Sequence, residues 1–126
     1  MLKKGFKQML AEANAVVESV SVQDAVPLLD DAQVVFLDVR EAAERQNGFI
    51  PGSVHAPRGF LEFVVDPEGP MHNPTLAGDK TLVVYCGSGG RSALACRTLH
   101  EMGFKRVCNL VGGFSAWSAA GAPSQR

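Results

Sequence analysis

Several things are scarce in this sequence, and each scarcity excludes something. Three cysteines is an odd number, so a complete internal disulfide framework is excluded and at least one thiol is free, as suits a reducing, cytoplasmic setting. No apolar run approaches the roughly 18 residues of a membrane span, which excludes a transmembrane segment. The lysines at 3, 4 and 7 are followed by Gln8, Glu12 and Asn14 rather than by the apolar stretch of a secretory signal. With 12 basic and 13 acidic residues the formal charge is −1, so nucleic acid is not an expected partner. There is no Cys-x-x-Cys pair, and His55, His72 and His100 stand far apart, which leaves no metal site and makes the histidines surface or packing residues. Repeats and low-complexity stretches are absent too. What remains is 126 residues of ordinary apolar content, enough for one compact domain.

The pattern along the chain alternates strand and helix. Leu2, Phe6, Met9, Leu10 and Ala13 recur at helical spacing and predict a short amphipathic helix over 1–15, packed on the domain or on a twin subunit. The domain proper then runs over 16–124, beginning with a short strand at 16–20 and a helix led by Ser21 and Asp24 at capping-box spacing. "VVFLDV" (34–39) and "TLVVYC" (81–86) are continuous apolar runs, the mark of strands covered on both faces. A polar helix follows the first of these runs, then a Pro-Gly turn with a brief strand at 50–56 and a short helical piece at 59–65. Residues 66–80 hold three of the seven prolines and read as a surface loop. In "RSALACRTLHEMGF", Ser92, Ala95, Cys96, Leu99 and Met102 share a helical face, and Gly103 is placed to end the helix. A strand at 106–112 and a helix from 113 complete an α/β chain: a central, mostly parallel sheet of about five strands with helices on both faces, a three-layer α/β/α domain.

Ligands of such sheets bind beyond the carboxyl ends of the strands, where Cys86 stands. "CGSGGRS" sets Gly87, Ser88, Gly89 and Gly90 between that cysteine and a helix opening at Arg91 and Ser92. Glycines let successive backbone N–H groups turn inward as an anion-binding nest. The helix start adds unsatisfied donors and a partial positive charge, and Arg91 adds a permanent cation. Each favours the charged form of a thiol, so Cys86 is read as a thiolate nucleophile with a pKa below its free value of about 8.5. Cys96 and Cys108 lie in apolar surroundings without such groups and are read as inert.

A thiolate in a bowl of amides serves sulfur transfer or phosphate ester hydrolysis. Four residues separate Cys86 from Arg91. A cysteine phosphatase usually has five, a wider bowl, and needs a general acid for its leaving group.

Four segments in order resemble the rhodanese family of sulfurtransferases: "LDVRE" (37–41), "GFIPGSVHAPRG" (48–59), "VVYCGSGGRSALA" (83–95) and "LVGGFSAW" (110–117). Phe49 stands where that family often has histidine, and Gly87 where it often has a bulkier or charged residue. The resemblance implies a rhodanese-like fold and a Cys86 persulfide that takes a sulfane sulfur from a small-molecule donor such as thiosulfate. The sulfur then passes to cyanide, a small thiol or a protein acceptor, with no cofactor. The alternatives are a non-catalytic rhodanese-like binding or sensing module and a phosphatase or arsenate reductase of related fold. Such binding modules often lose the cysteine or the arginine, and this chain keeps both. Asp38, Arg40 and Arg58 are further pocket candidates, the first two ending a strand on the side of the sheet where Cys86 stands, with a local salt bridge as the alternative role for Asp38.

Overall fold

The computed structural model describes residues 1–126. Five strands form one sheet: β1 (Glu18–Val20), β2 (Val34–Asp38), β3 (Val54–His55), β4 (Thr81–Tyr85) and β5 (Val107–Leu110). Their order is β1-β5-β4-β2-β3, and every neighbouring pair is parallel. The two apolar runs become the adjacent strands β2 and β4, paired from Val34 with Thr81 to Asp38 with Tyr85. Six helices surround the sheet: α1 (Phe6–Val16), α2 (Val22–Ala25), α3 (Ala42–Arg45), α4 (Leu61–Val65), α5 (Gly90–Met102) and α6 (Gly113–Ala119).

Alternation along the strands divides the core in two. Val35, Leu37, Leu82 and Val84 face α4 and α5, where they meet Leu61, Val64, Ala95 and Leu99. Phe36, Val83 and Tyr85 face the other way, toward Ile50, Ala25 of α2 and Trp117 of α6. Phe36 and Trp117 pack edge to face with centroids 5.7 Å apart, and Trp117 Nε1 donates to Pro123 O at 2.6 Å. Cys86 follows Val84 by two positions, so it inherits the α5 face of the sheet.

Most boundaries follow the sequence signals. Ser21 Oγ accepts from Asp24 N at 3.1 Å, although Pro27 turns the rest of that helix into a 3₁₀ segment over Val26–Asp30. Gly103, at φ 103°, ends α5 as predicted. Several expectations change. The first helix runs over 6–16 rather than within 1–15, so Val16 closes the helix instead of starting a strand, and the chain turns extended only at Val17, ahead of β1. Tertiary contact overrides the β propensity of Val16: Ala13 is fully buried, and Arg97 of α5 donates to Glu12 at 3.0 Å. Leu2, Phe6 and Met9 of the expected apolar face are exposed. Met102 is exposed as well, in the last turn of α5. The 66–80 segment is no simple surface loop, because a 3₁₀ turn at Pro74–Leu76 plants Leu76 in the core.

Candidate active site

Cys86 lies just past the end of β4, and the chain turns there within four residues into α5. Gly89 makes the turn in the left-handed region, at φ 110°, which only glycine adopts without strain. That turn brings Gly89 N to 3.1 Å from Cys86 Sγ and the Ser92 hydroxyl to 3.3 Å. The outward carbonyls of the loop are held from the far side by α6: Phe114 N donates to Cys86 O at 2.8 Å and Ser115 N to Gly87 O at 3.0 Å. With its carbonyls tied back, the loop leaves its N–H groups turned to the sulfur.

Burial pushes the Cys86 thiol up, but hydrogen bonds from the Ser92 hydroxyl and from the N–H groups of Ser92, Gly89 and Ser88 outweigh it and hold the pKa below the ordinary thiol value. The other cysteines go the opposite way. Burial raises Cys96 strongly and pushes Cys108 up to about 11. Cys86 is thus the one thiol of the three whose surroundings favour the thiolate.

Arg91 does not simply point its charge at the sulfur. Its Nη1 and Nη2 donate to Glu44 Oε1 and Oε2 at 2.7 and 2.9 Å, a two-pronged ion pair between α5 and α3. Arg91 in turn holds the Glu44 carboxyl down at about 2. The guanidinium lies over the loop: a β-carbon at position 87 would stand 3.2 Å from Nη2, so a larger residue there would need the arginine to shift by only a few tenths of an ångström. Cys86 is 1% exposed, and none of the surface cavities is lined by it.

A family profile for the rhodanese-like domain matches residues 21–120, which takes in every strand from β2 to β5 and the whole loop. The chain belongs to the rhodanese-like domain family. It is 35% identical to a sulfurtransferase of Allochromatium vinosum over 96 residues, 76% of this chain and 82% of that one. Among solved structures it is similar to the polysulfide-sulfur transferase homodimer of Wolinella succinogenes, with 34% identity, a TM-score of 0.75, and coverage of 95% of this chain and 86% of the other. It is also similar to a Rhodopseudomonas palustris protein of unknown function, a possible tyrosine phosphatase, with 42% identity, a TM-score of 0.92, and coverage of 99% and 97%.

Within this rhodanese-like fold the other candidate residues stand apart from Cys86. Asp38 and Arg40 are at the same carboxyl edge of the sheet but on its opposite face, which corrects the expectation that they share a side with the cysteine. Strand alternation is the reason: Asp38 pairs in register with Tyr85, one residue out of phase with Cys86. Asp38 is completely buried and accepts from Arg40 N, Nε and Nη2 and from Arg45 Nη1, all at 2.9–3.0 Å. Burial raises its pKa, and the bonds from Arg40 more than reverse that. Arg40 lies over the rings of Phe114 and Tyr85, at 4.5 and 5.5 Å. Arg58 reaches Thr98 on α5 at 3.2 Å and Glu62 at 3.3 Å, again without touching Cys86. Of the histidines, His55 bonds Arg40 O, His72 bonds Val64 O, and His100 is exposed.

Two residues at the site escaped the sequence reading. Glu44 carries a local signal, since Glu41 and Glu44 form a capping box, but nothing in the sequence links it to Arg91 47 positions later. Asn109 carries a better one: a polar residue inside an apolar strand has to be paired with something. It is buried, and bonds Ser92 Oγ at 2.6 Å and Gly89 O at 3.1 Å.

Proposed function

We propose that this chain moves a sulfane sulfur from thiosulfate or a persulfide or polysulfide donor to a thiol or cyanide acceptor through a persulfide on Cys86. The observation that carries this reading is the pair of donors set on one sulfur, the Gly89 N–H at 3.1 Å and the Ser92 hydroxyl at 3.3 Å. The Cys86 thiolate attacks the outer sulfur of thiosulfate; the new S–S bond forms as the old one breaks, and sulfite leaves with the electron pair. The loop amides and the helix start then face an anionic persulfide. An acceptor thiolate or cyanide attacks the outer sulfur, the electron pair of that S–S bond returns to Sγ, and the thiolate is restored. The donors stabilise charge on the sulfur at each stage.

Incubation with thiosulfate should add one sulfur atom to Cys86, visible by intact mass and removed by cyanide. Cys86→Ser should abolish both, while Cys96→Ser and Cys108→Ser keep most of the activity. Turnover surviving in Cys86→Ser would end the assignment. The similar Rhodopseudomonas palustris protein makes phosphatase activity worth measuring in parallel. Four residues between Cys86 and Arg91 make a bowl suited to one sulfur atom, and no general acid stands in contact with Cys86. Efficient hydrolysis of an aryl phosphate by the wild type, lost in Cys86→Ser, would replace the sulfurtransferase reading with the phosphatase one.

A further inference from the structure

Both polar groups of the Asn109 side chain are engaged. Nδ2 donates to Gly89 O, which fixes the way the amide faces, so the atom turned to Ser92 is the acceptor Oδ1. Ser92 Oγ lies 2.6 Å from that oxygen and 3.3 Å from Cys86 Sγ. A hydroxyl has one proton. Two acceptors face it, and it can serve only one at a time.

We propose that Asn109 is a positioning residue for sulfur transfer that acts through Ser92, taking the hydroxyl proton while Cys86 Sγ is uncharged and releasing it when Sγ becomes anionic. The proposal rests on the sulfur-transfer reading above. In the thiol, Sγ–H donates to Ser92 Oγ and Ser92 donates to Asn109. In the thiolate the hydroxyl turns to Sγ. Once the persulfide has formed, the charge is on the outer sulfur, Sγ is a poor acceptor, and the hydroxyl turns back to Asn109. When the acceptor attacks the outer sulfur, the electron pair returns to Sγ and the hydroxyl swings with it. Ser92 keeps its proton throughout; only its direction changes. Without Asn109 the persulfide state would strand a buried O–H donor. Asn109 therefore stabilises the thiol and the persulfide relative to the thiolate.

The other groups around the loop leave this competition in place. Arg91, from α5, is paired with Glu44 of α3. Cys96 of α5 and Cys108 of β5 stay neutral, their thiols raised by burial. Asp38 and Arg40, beyond β2, are paired with each other on the far face of the sheet, beside the neutral Tyr85. The α4 side presents the apolar Leu61 and Val64.

The test is the pH profile of Cys86 alkylation by iodoacetamide, read by peptide mass in the full chain, together with persulfide occupancy at a fixed thiosulfate-to-sulfite ratio. Asn109→Ala should increase the Cys86 ionisation constant about three- to tenfold and lower persulfide occupancy by a similar factor. Asn109→Leu, which keeps the branched shape without the polar atoms and leaves no cavity, guards against a folding defect, checked by circular dichroism. Ser92→Ala should decrease the ionisation constant, and adding Asn109→Ala to it should change nothing more. A merely structural Asn109 predicts the reverse sign, because a loosened loop stabilises the thiolate less. A constant that falls or stays put in both Asn109 variants, or an equal rise in the Ser92→Ala background, overturns the proposal. If the wild type forms no persulfide, the sulfur-transfer reading fails and the proposed role fails with it, even where the alkylation pattern holds.

Discussion

Arg91 lies over the loop that holds Cys86, and both of its terminal nitrogens are held by Glu44. Glu44→Gln replaces a carboxylate with a weaker neutral partner and frees the guanidinium for the loop. The expected result is a KM for thiosulfate lower by about two- to fivefold, an exposed ion pair being a modest tether, with a small fall in the Cys86 alkylation pKa. Steady-state kinetics and the alkylation profile check this; no change in either would mean that Arg91 does not act on the bound anion. The pH sign follows from the depressed Glu44 carboxyl. Its ordinary value is 4.5 and its folded value about 2, so the contribution of the pair is complete above pH 4.5 and is lost as the pH falls toward 2. The pair is therefore intact across any neutral assay. At this scale the sequence revealed the Cys86 loop and the donors it turns to the sulfur, because a short run of neighbouring residues creates them. It concealed Glu44, because the partner is chosen by the fold. Asn109 lay between these cases, marked by its polarity in β5 but with no partner named.

Among the elements, α6 has the most direct hold on the loop, through two backbone hydrogen bonds to Cys86 O and Gly87 O. Gly113 permits that approach. It has φ 59°, and a β-carbon there would lie 2.5 Å from Cys86 O and 2.7 Å from Gly87 O. Gly113→Ala should cost about 2–4 kcal/mol, combining the left-handed backbone with a backbone clash, and should depress sulfur transfer beyond the loss of folded protein. Urea unfolding and activity per folded molecule separate the two effects. A variant with wild-type stability and activity would show that α6 does not shape the loop. Element identity was largely legible from periodicity. Where it was not, as at Val16, contact between α1 and α5 decided the conformation. The opposite facing of Asp38 and Cys86 was legible by counting in twos once the register of β2 with β4 was known, and register is a long-range fact.

At the scale of the whole molecule, the two cores meet different chemistry at the same edge of the sheet. One ends at Cys86; the other ends at Asp38, which joins β2 to Arg45 of α3 and, through Arg40, to Gly48 O at 2.9 Å. Tyr85 belongs to this second group: its hydroxyl accepts from Ile50 N at 3.1 Å, and burial followed by the Asp38 charge pushes its pKa up to about 12. Asp38→Asn should lose about 3–5 kcal/mol by leaving buried cations unpaired, yet leave the Cys86 alkylation pKa where it is. Denaturation with the alkylation profile reads both; a shifted profile at unchanged stability would move Asp38 into the sulfur site. The grip of α6 on the loop also has a consequence for the order in which the molecule acquires its chemistry. Cys86 is translated well before Phe114 and Ser115, the residues whose amides fasten its loop. A growing chain that has emerged only as far as α5 lacks both of these bonds, so the Cys86 loop is fastened last, when the final helix docks onto the rest of the domain.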